Sequence, residues 1–397
     1  MLSKTSSRLL RFFSKWTSLL GGMPFEWDNK RSKLRISEKG WAKWTFWVVF
    51  AIVNWSFYFI KLSFVIATAK RKSDPVEYIY EKVKGYQIMI IYVIYALISV
   101  NSWRHMQEIV CFVNAFIRYS QHFRNAYIKR LGRGWRNGCE VILHLLAILT
   151  AFLPILSLFL YIANPLDIRW ITSFLPPTPT TPLVVYLPLC IGFGALHTGW
   201  AFSATSTITF YTVMSILPSF VTLQMMREIC GGRPYYISRP LLRRPPRLCQ
   251  TYRALQILIR LWNKALTSCL FPLKVSAEAF SMMGNSLLIK FHKLETPMSR
   301  LLLLLVPNVY LATWLVSLHL FGLLWKRSSA TVRSWQYLRL KDDADFILLR
   351  KFRKSCAPLK IKLGKKYFVQ PKRVVVTINT VVITTLKFLL AIKKKIQ

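Results

Sequence analysis

Apolar residues in this chain fall in blocks of about 20, each long enough as a helix to cross roughly 30 Å of hydrocarbon at 1.5 Å per residue. Seven such blocks are separated by polar connectors: Trp41–Ala69, Tyr86–Trp103, Val141–Ala163, Leu183–Met226, Ala265–Lys290, Leu301–Trp325 and Val374–Ile392. The fourth is too long for one crossing and extends into water as a helix unless Pro188 or Pro218 breaks it. The fifth is the least apolar, because Lys274 and Glu278 interrupt it. The pattern predicts an all-α, polytopic membrane protein with no soluble domain. Residues 1–397 then form one seven-helix unit: an N-terminal segment 1–40, helices one to six over 41–325, a connector 326–373 and a last span 374–392.

The long connectors carry helical patterning of their own. Ile109, Phe112, Val113, Phe116 and Ile117 recur at spacings of three and four, which continues the second span beyond the bilayer. Leu255, Ile257, Leu258 and Leu261 do the same ahead of the fifth span, and residues 332–363 offer a third helical segment. Their apolar faces predict a bundle that packs against itself. The alternative is amphipathic stretches lying on anionic lipid.

Charge sets the orientation. The chain holds 56 Lys and Arg against 15 Asp and Glu, a net +41, and in a soluble domain that balance suggests nucleic acid. Here the charges sit between apolar blocks. Connectors 1–40, 104–138, 227–264 and 326–373 hold 40 Lys and Arg, against 12 in 70–84, 164–182, 290–300 and the tail. Positive residues stay on the cytoplasmic side, which predicts an inner N-terminus and, with seven spans, an outer C-terminus. Lys70, Arg71, Lys72, Lys82, Lys84 and Lys393 to Lys395 run against this bias. A bilayer is the expected partner and nucleic acid is not. The basic residues between Leu9 and Leu20 interrupt any signal-peptide core, so no leader is expected.

Cys111, Cys139, Cys230, Cys249 and Cys356 fall in inner connectors and Cys190 and Cys269 within spans, so no outer disulfide is expected. No C-x-x-C, H-E-x-x-H, Gly-rich phosphate loop or nucleophile elbow occurs; no metal, cofactor or enzymatic activity is expected. The sequon at Asn54 lies inside the first span, beyond the reach of glycosylation.

In the seventh span Thr377, Thr380, Thr384 and Lys387 recur at steps of three, four and three and share one helix face. Such a stripe lines water, bonds a neighbouring helix, or satisfies itself on carbonyls four residues back. Lys387 either snorkels to the outer interface or faces a pore, where several copies would repel cations. Lys274 and Glu278, one turn apart, are expected to pair, with a polar ligand as the other role for Glu278. For a ligand pocket, the outer halves of the spans offer Tyr92, Tyr95, Phe159, His197, Trp200, Phe280, Asn285, Asn308 and Tyr310, aromatic walls with a few polar groups.

Cys356-Ala357-Pro358-Leu359-Lys360-Ile361-Lys362-Leu363-Gly364, followed by Tyr367-Phe368-Val369 and a Thr-containing last span, resembles the C-terminal region of the arthropod gustatory and odorant receptor superfamily. The signature there is Thr-Tyr, five apolar residues, then Gln-Phe. This chain has Thr380-Val381, Val382 to Leu386, and Lys387-Phe388, so Thr and Phe are kept, and Val381 and Lys387 replace Tyr and Gln. Gly21-Gly22-Met23-Pro24 ahead of the first span is similar to that superfamily's N-terminal layout; between 48 and 325 the similarity is architectural. The resemblance implies a plasma-membrane, ligand-gated cation channel for small-molecule tastants. It would be a homo- or hetero-tetramer with related subunits, its inner helices forming an anchor and its seventh helices lining one pore. The departures favour a second reading, a non-conducting structural, trafficking or partner subunit. A G-protein-coupled receptor is disfavoured by the inverted topology and by the absence of D-R-Y and N-P-x-x-Y.

Overall fold

The computed structural model describes residues 4–67, 75–129, 137–163, 183–338, 342–364 and 367–396. Lys70, Arg71, Lys72, the connector 164–182 and the side chains of Cys139, Lys394 and Lys395 lie outside what is described. Ten α-helices occur among the described residues: α1 (Lys4–Leu19), α2 (Glu38–Ala67), α3 (Pro75–Arg104), α4 (Met106–Tyr127), α5 (Asn137–Ala163), α6 (Leu183–Ile229), α7 (Pro245–Lys290), α8 (Pro297–Ser334), α9 (Asp343–Ser355) and α10 (Arg373–Ile396). Two short antiparallel hairpins punctuate them, β1 (Phe25–Asp28) with β2 (Lys33–Ile36) and β3 (Lys362–Leu363) with β4 (Tyr367–Phe368).

Among the described residues six helices, α2, α3, α5, α6, α8 and α10, are long and apolar enough to cross a membrane. α7 contains the fifth expected span and falls short, with Lys264, Lys274 and Glu278 along it. Its place in the fold accounts for its composition. α3, α4, α8, α9 and α10 all pack on it, and Leu266, Leu270, Leu273 and Ala277 are buried in those contacts. A helix shielded by protein does not need a fully apolar surface.

α6 runs unbroken for 47 residues, ~70 Å by helical rise, through both Pro188 and Pro218. An interior proline frees the carbonyl four residues back, and in an apolar setting that group needs another donor. For Pro218 the group is Met214 O, which accepts the Trp262 indole N–H of α7 at 3.1 Å. For Pro154 in α5 it is Thr150 O, which accepts the Thr205 hydroxyl of α6 at 3.5 Å. The breaks thus become cross-helix ties.

At the basic end, Ile109, Phe112, Val113, Phe116 and Ile117 of α4 join Leu255 and Leu258 of α7 in one core, as bundle packing predicts. The expected continuous helix from the second span is interrupted, however. α3 stops at Arg104 and α4 restarts at Met106 after His105, whose backbone (φ −118°, ψ 29°) leaves the helical region. The third expected helical segment is also shorter. Its first residues, to Ser334, belong to α8, Trp335–Tyr337 is one 3-10 turn, and a separate helix, Asp343–Ser355, is opened by the Asp342 side chain accepting from Ala344 N at 3.0 Å; 356–361, with Pro358 inside it, has no regular secondary structure.

That strap lies along α7. Tyr252 and Gln256 both donate to Ala357 O at 3.0 Å, and Asn263 takes the main chain at Lys360 and Lys362, both at 2.9 Å. Leu359 is buried, and its N–H donates to Ser328 Oγ at 2.9 Å. Gly364 has φ +68°, a left-handed conformation that suits glycine, and its N–H reaches Thr267 O at 3.3 Å. These contacts fix the start of α10. α1 and the first hairpin form a second fixture. Gly22 lies so close to α6 that a Cβ would sit 2.5 Å from Thr207 Oγ1, and Gly22 O accepts the Thr207 hydroxyl at 2.7 Å.

Candidate ligand cavity and terminal helix

In the half of the bundle away from the basic end, α3, α5, α6, α7 and α8 line a half-open cavity of about 280 Å³. That is near the small end of the roughly 300–1,000 Å³ range of ligand pockets. Its walls follow from helical periodicity. Gln87, Ile91 and Ile94 share a face of α3, Leu146, Leu149, Leu153 and Leu160 come from α5, and Leu303, Pro307 and Tyr310 from α8. α6 contributes Ala201, Ala204, Thr205, Ile208, Thr209 and Thr212, a row of small and hydroxyl residues that leaves room between helices. No charged side chain among the described residues lines the space.

One wall is aromatic. Tyr92 stacks on Trp200 with ring centroids 4.5 Å apart, His197 lies 5.6 Å from the same indole, and Phe280 meets Tyr310 edge-on at 6.4 Å. These five are the expected ligand residues that line the cavity. Tyr95 is buried behind Trp200, edge-on at 5.9 Å, and is not part of the lining.

The other expected residues lie elsewhere. Asn308 donates to Asn285 Oδ1 at 3.1 Å and to Leu304 O at 2.7 Å, so the two amides serve α7–α8 packing. Glu278 accepts from Lys274 at 2.5 Å, and neither borders the cavity. Phe159 is on the outer surface of α5, 58% exposed. Asn54, buried, donates to Phe50 O of its own helix at 2.8 Å.

Sequence reasoning missed Gln87 and the Thr150–Thr209 hydroxyl pair, 2.6 Å apart. The spacing of Gln87 four and seven residues ahead of Ile91 and Ile94 is the signal that could have found the first.

α10 packs on α7, α8 and α3, burying Thr377, Val381, Thr385 and Ile392. The threonine stripe straddles the edge of that face. Thr377 is fully buried, its hydroxyl without a partner among the described residues. Thr380 donates to Val376 O at 2.8 Å and Thr384 to Thr380 O at 2.6 Å, so both are satisfied on their own helix. Lys387 is exposed. The open side of α10 carries Val375, Val376, Val382, Ile383, Leu386 and Leu390 with Asn379 among them. Phe388 packs with Ile79, Val83, Leu287, Phe291 and Ile392.

Beside that cluster lies a buried ion pair which accounts for one of the anomalous lysines. Lys84 Nζ is 3.4 Å from Glu295 Oε1, the side chains being 6% and 2% exposed. Tyr80 donates to Glu295 Oε1 at 2.7 Å and receives from Lys84 at 2.6 Å, while the Ser299 hydroxyl donates to the other carboxylate oxygen. Extra donors on both oxygens are what a buried pair needs.

The class this architecture defines is an all-helical, multi-span membrane protein with a half-open, ligand-sized cavity that no charged side chain lines among the described residues. By sequence alone the chain matches no protein-family model and no curated protein. By structure it has the fold of the insect olfactory receptor OR5 from Machilis hrabei, with TM-score 0.64, 11% identity, and 96% of this chain and 97% of that one covered. The same receptor solved in complex with eugenol matches with TM-score 0.62 at 12% identity, covering 97% and 98%. At this identity the likeness is one of fold, over nearly the whole of both chains.

Proposed function

We propose that this chain is a chemoreceptor subunit, a seven-span ligand-gated ion channel of the plasma membrane in which α7 supplies the fifth crossing and the N-terminus is cytoplasmic. A small molecule, a tastant or an odorant, occupies the cavity, and four like or related subunits surround one pore bordered by α10. The observation that carries the reading is the pairing of an uncharged cavity of about 280 Å³ with a fold shared, end to end, with an olfactory receptor that has been solved with eugenol. Oligomerisation is supported by α9, which lies outside the apolar spans yet exposes Phe346, Ile347 and Leu348. Such a row requires cover, and a second copy supplies it. The open apolar side of α10 is consistent with the same arrangement.

Lys387 supports the second reading, a subunit that does not conduct alone. It is exposed on α10 where the receptor signature has Gln, and four ammonium groups around an axis would oppose cations. Voltage clamp under ion substitution separates the two: a ligand-evoked current with a defined reversal potential supports the channel, and silence rescued by a related subunit supports the partner role. An epitope tag on the C-terminus, stained on unpermeabilised cells, tests the topology.

A further inference from the structure

We infer that Gln87 is the selectivity-determining contact of the cavity, and that it takes an uncharged ligand with an apolar body and an oxygen that hydrogen-bonds the amide. The inference rests on the ligand role proposed for the cavity and adds the chemistry of what fills it.

Gln87 lines the cavity, is 6% exposed, and has no hydrogen-bond partner among the described residues. A primary amide carries two donors and two acceptor sites, and a buried one is normally paired. Three of the hydroxyls in the lining are already spent. Thr150, Thr205 and Thr209 are all taken up, Thr150 by Leu146 O and Thr209, and Thr205 by Ala201 O. The surroundings also hold Gln87 in place. A Cβ on Gly284 would sit 3.1 Å from its Nε2 and 2.5 Å from Pro307 Cγ, so the missing side chain of Gly284 makes the slot between α7 and α8 that the amide occupies. The result is a fixed primary amide, the single one in the lining among the described residues, which offers more hydrogen-bonding sites than the Trp200 indole N–H, also without a partner there.

That arrangement discriminates by chemistry. Among the described residues no carboxylate borders the cavity to pair with an ammonium ligand, and Glu278, outside it, is engaged by Lys274. A sugar would bury many hydroxyls against Ile, Leu and Val with little to receive them. A ketone, ether or alcohol on a hydrocarbon frame satisfies Gln87 and loses nothing elsewhere.

The test uses the full chain in lipid nanodiscs, with intrinsic fluorescence reporting occupancy beside Trp200. Acetophenone, its oxygen-free analogue ethylbenzene and protonated phenethylamine are titrated. Wild type is expected to bind acetophenone about tenfold tighter than ethylbenzene, the scale of one hydrogen bond, with phenethylamine weaker than both. Gln87→Leu is expected to remove the ketone preference while ethylbenzene binds as before. A variant that weakens both neutral probes equally assigns Gln87 to packing and overturns the inference, as does a wild type without preference or one that favours the amine. If no probe binds wild type, the cavity reading fails first and the role of Gln87 fails with it. If Ala204→Phe, which fills the cavity, leaves acetophenone binding intact, the ligand sits elsewhere and both readings fall.

Discussion

The Trp262 indole N–H donates at 3.1 Å to Met214 O, the carbonyl that Pro218 deprives of its helical donor. One residue on α7 therefore completes the backbone of α6. Trp262→Phe leaves that carbonyl unpaired and is expected to cost ~1–3 kcal/mol. Pro218→Ala returns a backbone N–H to the same carbonyl, so the Trp262→Phe penalty should shrink in that background. Thermal unfolding of the purified single and double variants checks this; equal penalties in the two backgrounds would contradict the tie.

The Lys84–Glu295 pair is enclosed and supported by Tyr80 and Ser299. Removing one partner strands a buried charge, at a typical cost of ~3–5 kcal/mol, whereas replacing both with apolar residues is often close to neutral. Lys84→Met and Glu295→Leu should each lower melting temperature and surface abundance, and the double variant should recover most of both. Additive losses would show that the two side chains do not act as a pair.

Gly22 touches Ser203 O and the Thr207 hydroxyl of α6. Gly22→Ala overpacks a contact in which the nearest backbone atom cannot yield, for a loss of ~1–3 kcal/mol. Gly192, with open space around its Cα, should accept alanine without loss, and the difference in melting temperature between the two variants measures the effect.

Cys249 on α7 and Cys356 at the end of α9 are half-buried, and that burial pushes both thiols up to about 11. The thiolate is the reactive form, and below the pKa its fraction grows about tenfold per pH unit. Both should resist maleimide at pH 7.5 and label progressively faster as pH rises towards the thiol value, while exposed Cys111 labels first at neutral pH. Mass spectrometry of timed digests reads the order. Early labelling of Cys356 at pH 7.5 would mean that the strap detaches from α7.

The long helices were legible because blocks of about 20 apolar residues leave few alternatives to a membrane span. The self-packing of α4 against α7 followed from the same periodicity, whereas the helix ends did not: α3 begins at Pro75, well before Tyr86, and α8 runs to Ser334, past Trp325. The short hairpins were not legible, since the four residues Phe25–Asp28 pair with Lys33–Ile36 and Leu34 is bracketed by the Asn114 side chain on α4, 80 positions away. Lys84 read as an exposed connector charge because its partner Glu295 lies more than 200 positions later. The cavity was half legible. Polar and aromatic residues were placed on the right helices, but rotation within a span decides whether a side chain faces the space, a neighbour or lipid. Asn285 and Asn308 spend their amides on each other, and Phe159 points outward.

In the proposed function, a molecule in the cavity between α3, α5, α6, α7 and α8 opens a conductance. The most direct measurement is whole-cell current from cells expressing the chain, with acetophenone applied to wild type and to Ala204→Phe at matched surface abundance. An evoked current in wild type that the cavity-filling variant loses is the expected result. A current of equal size in both would contradict it.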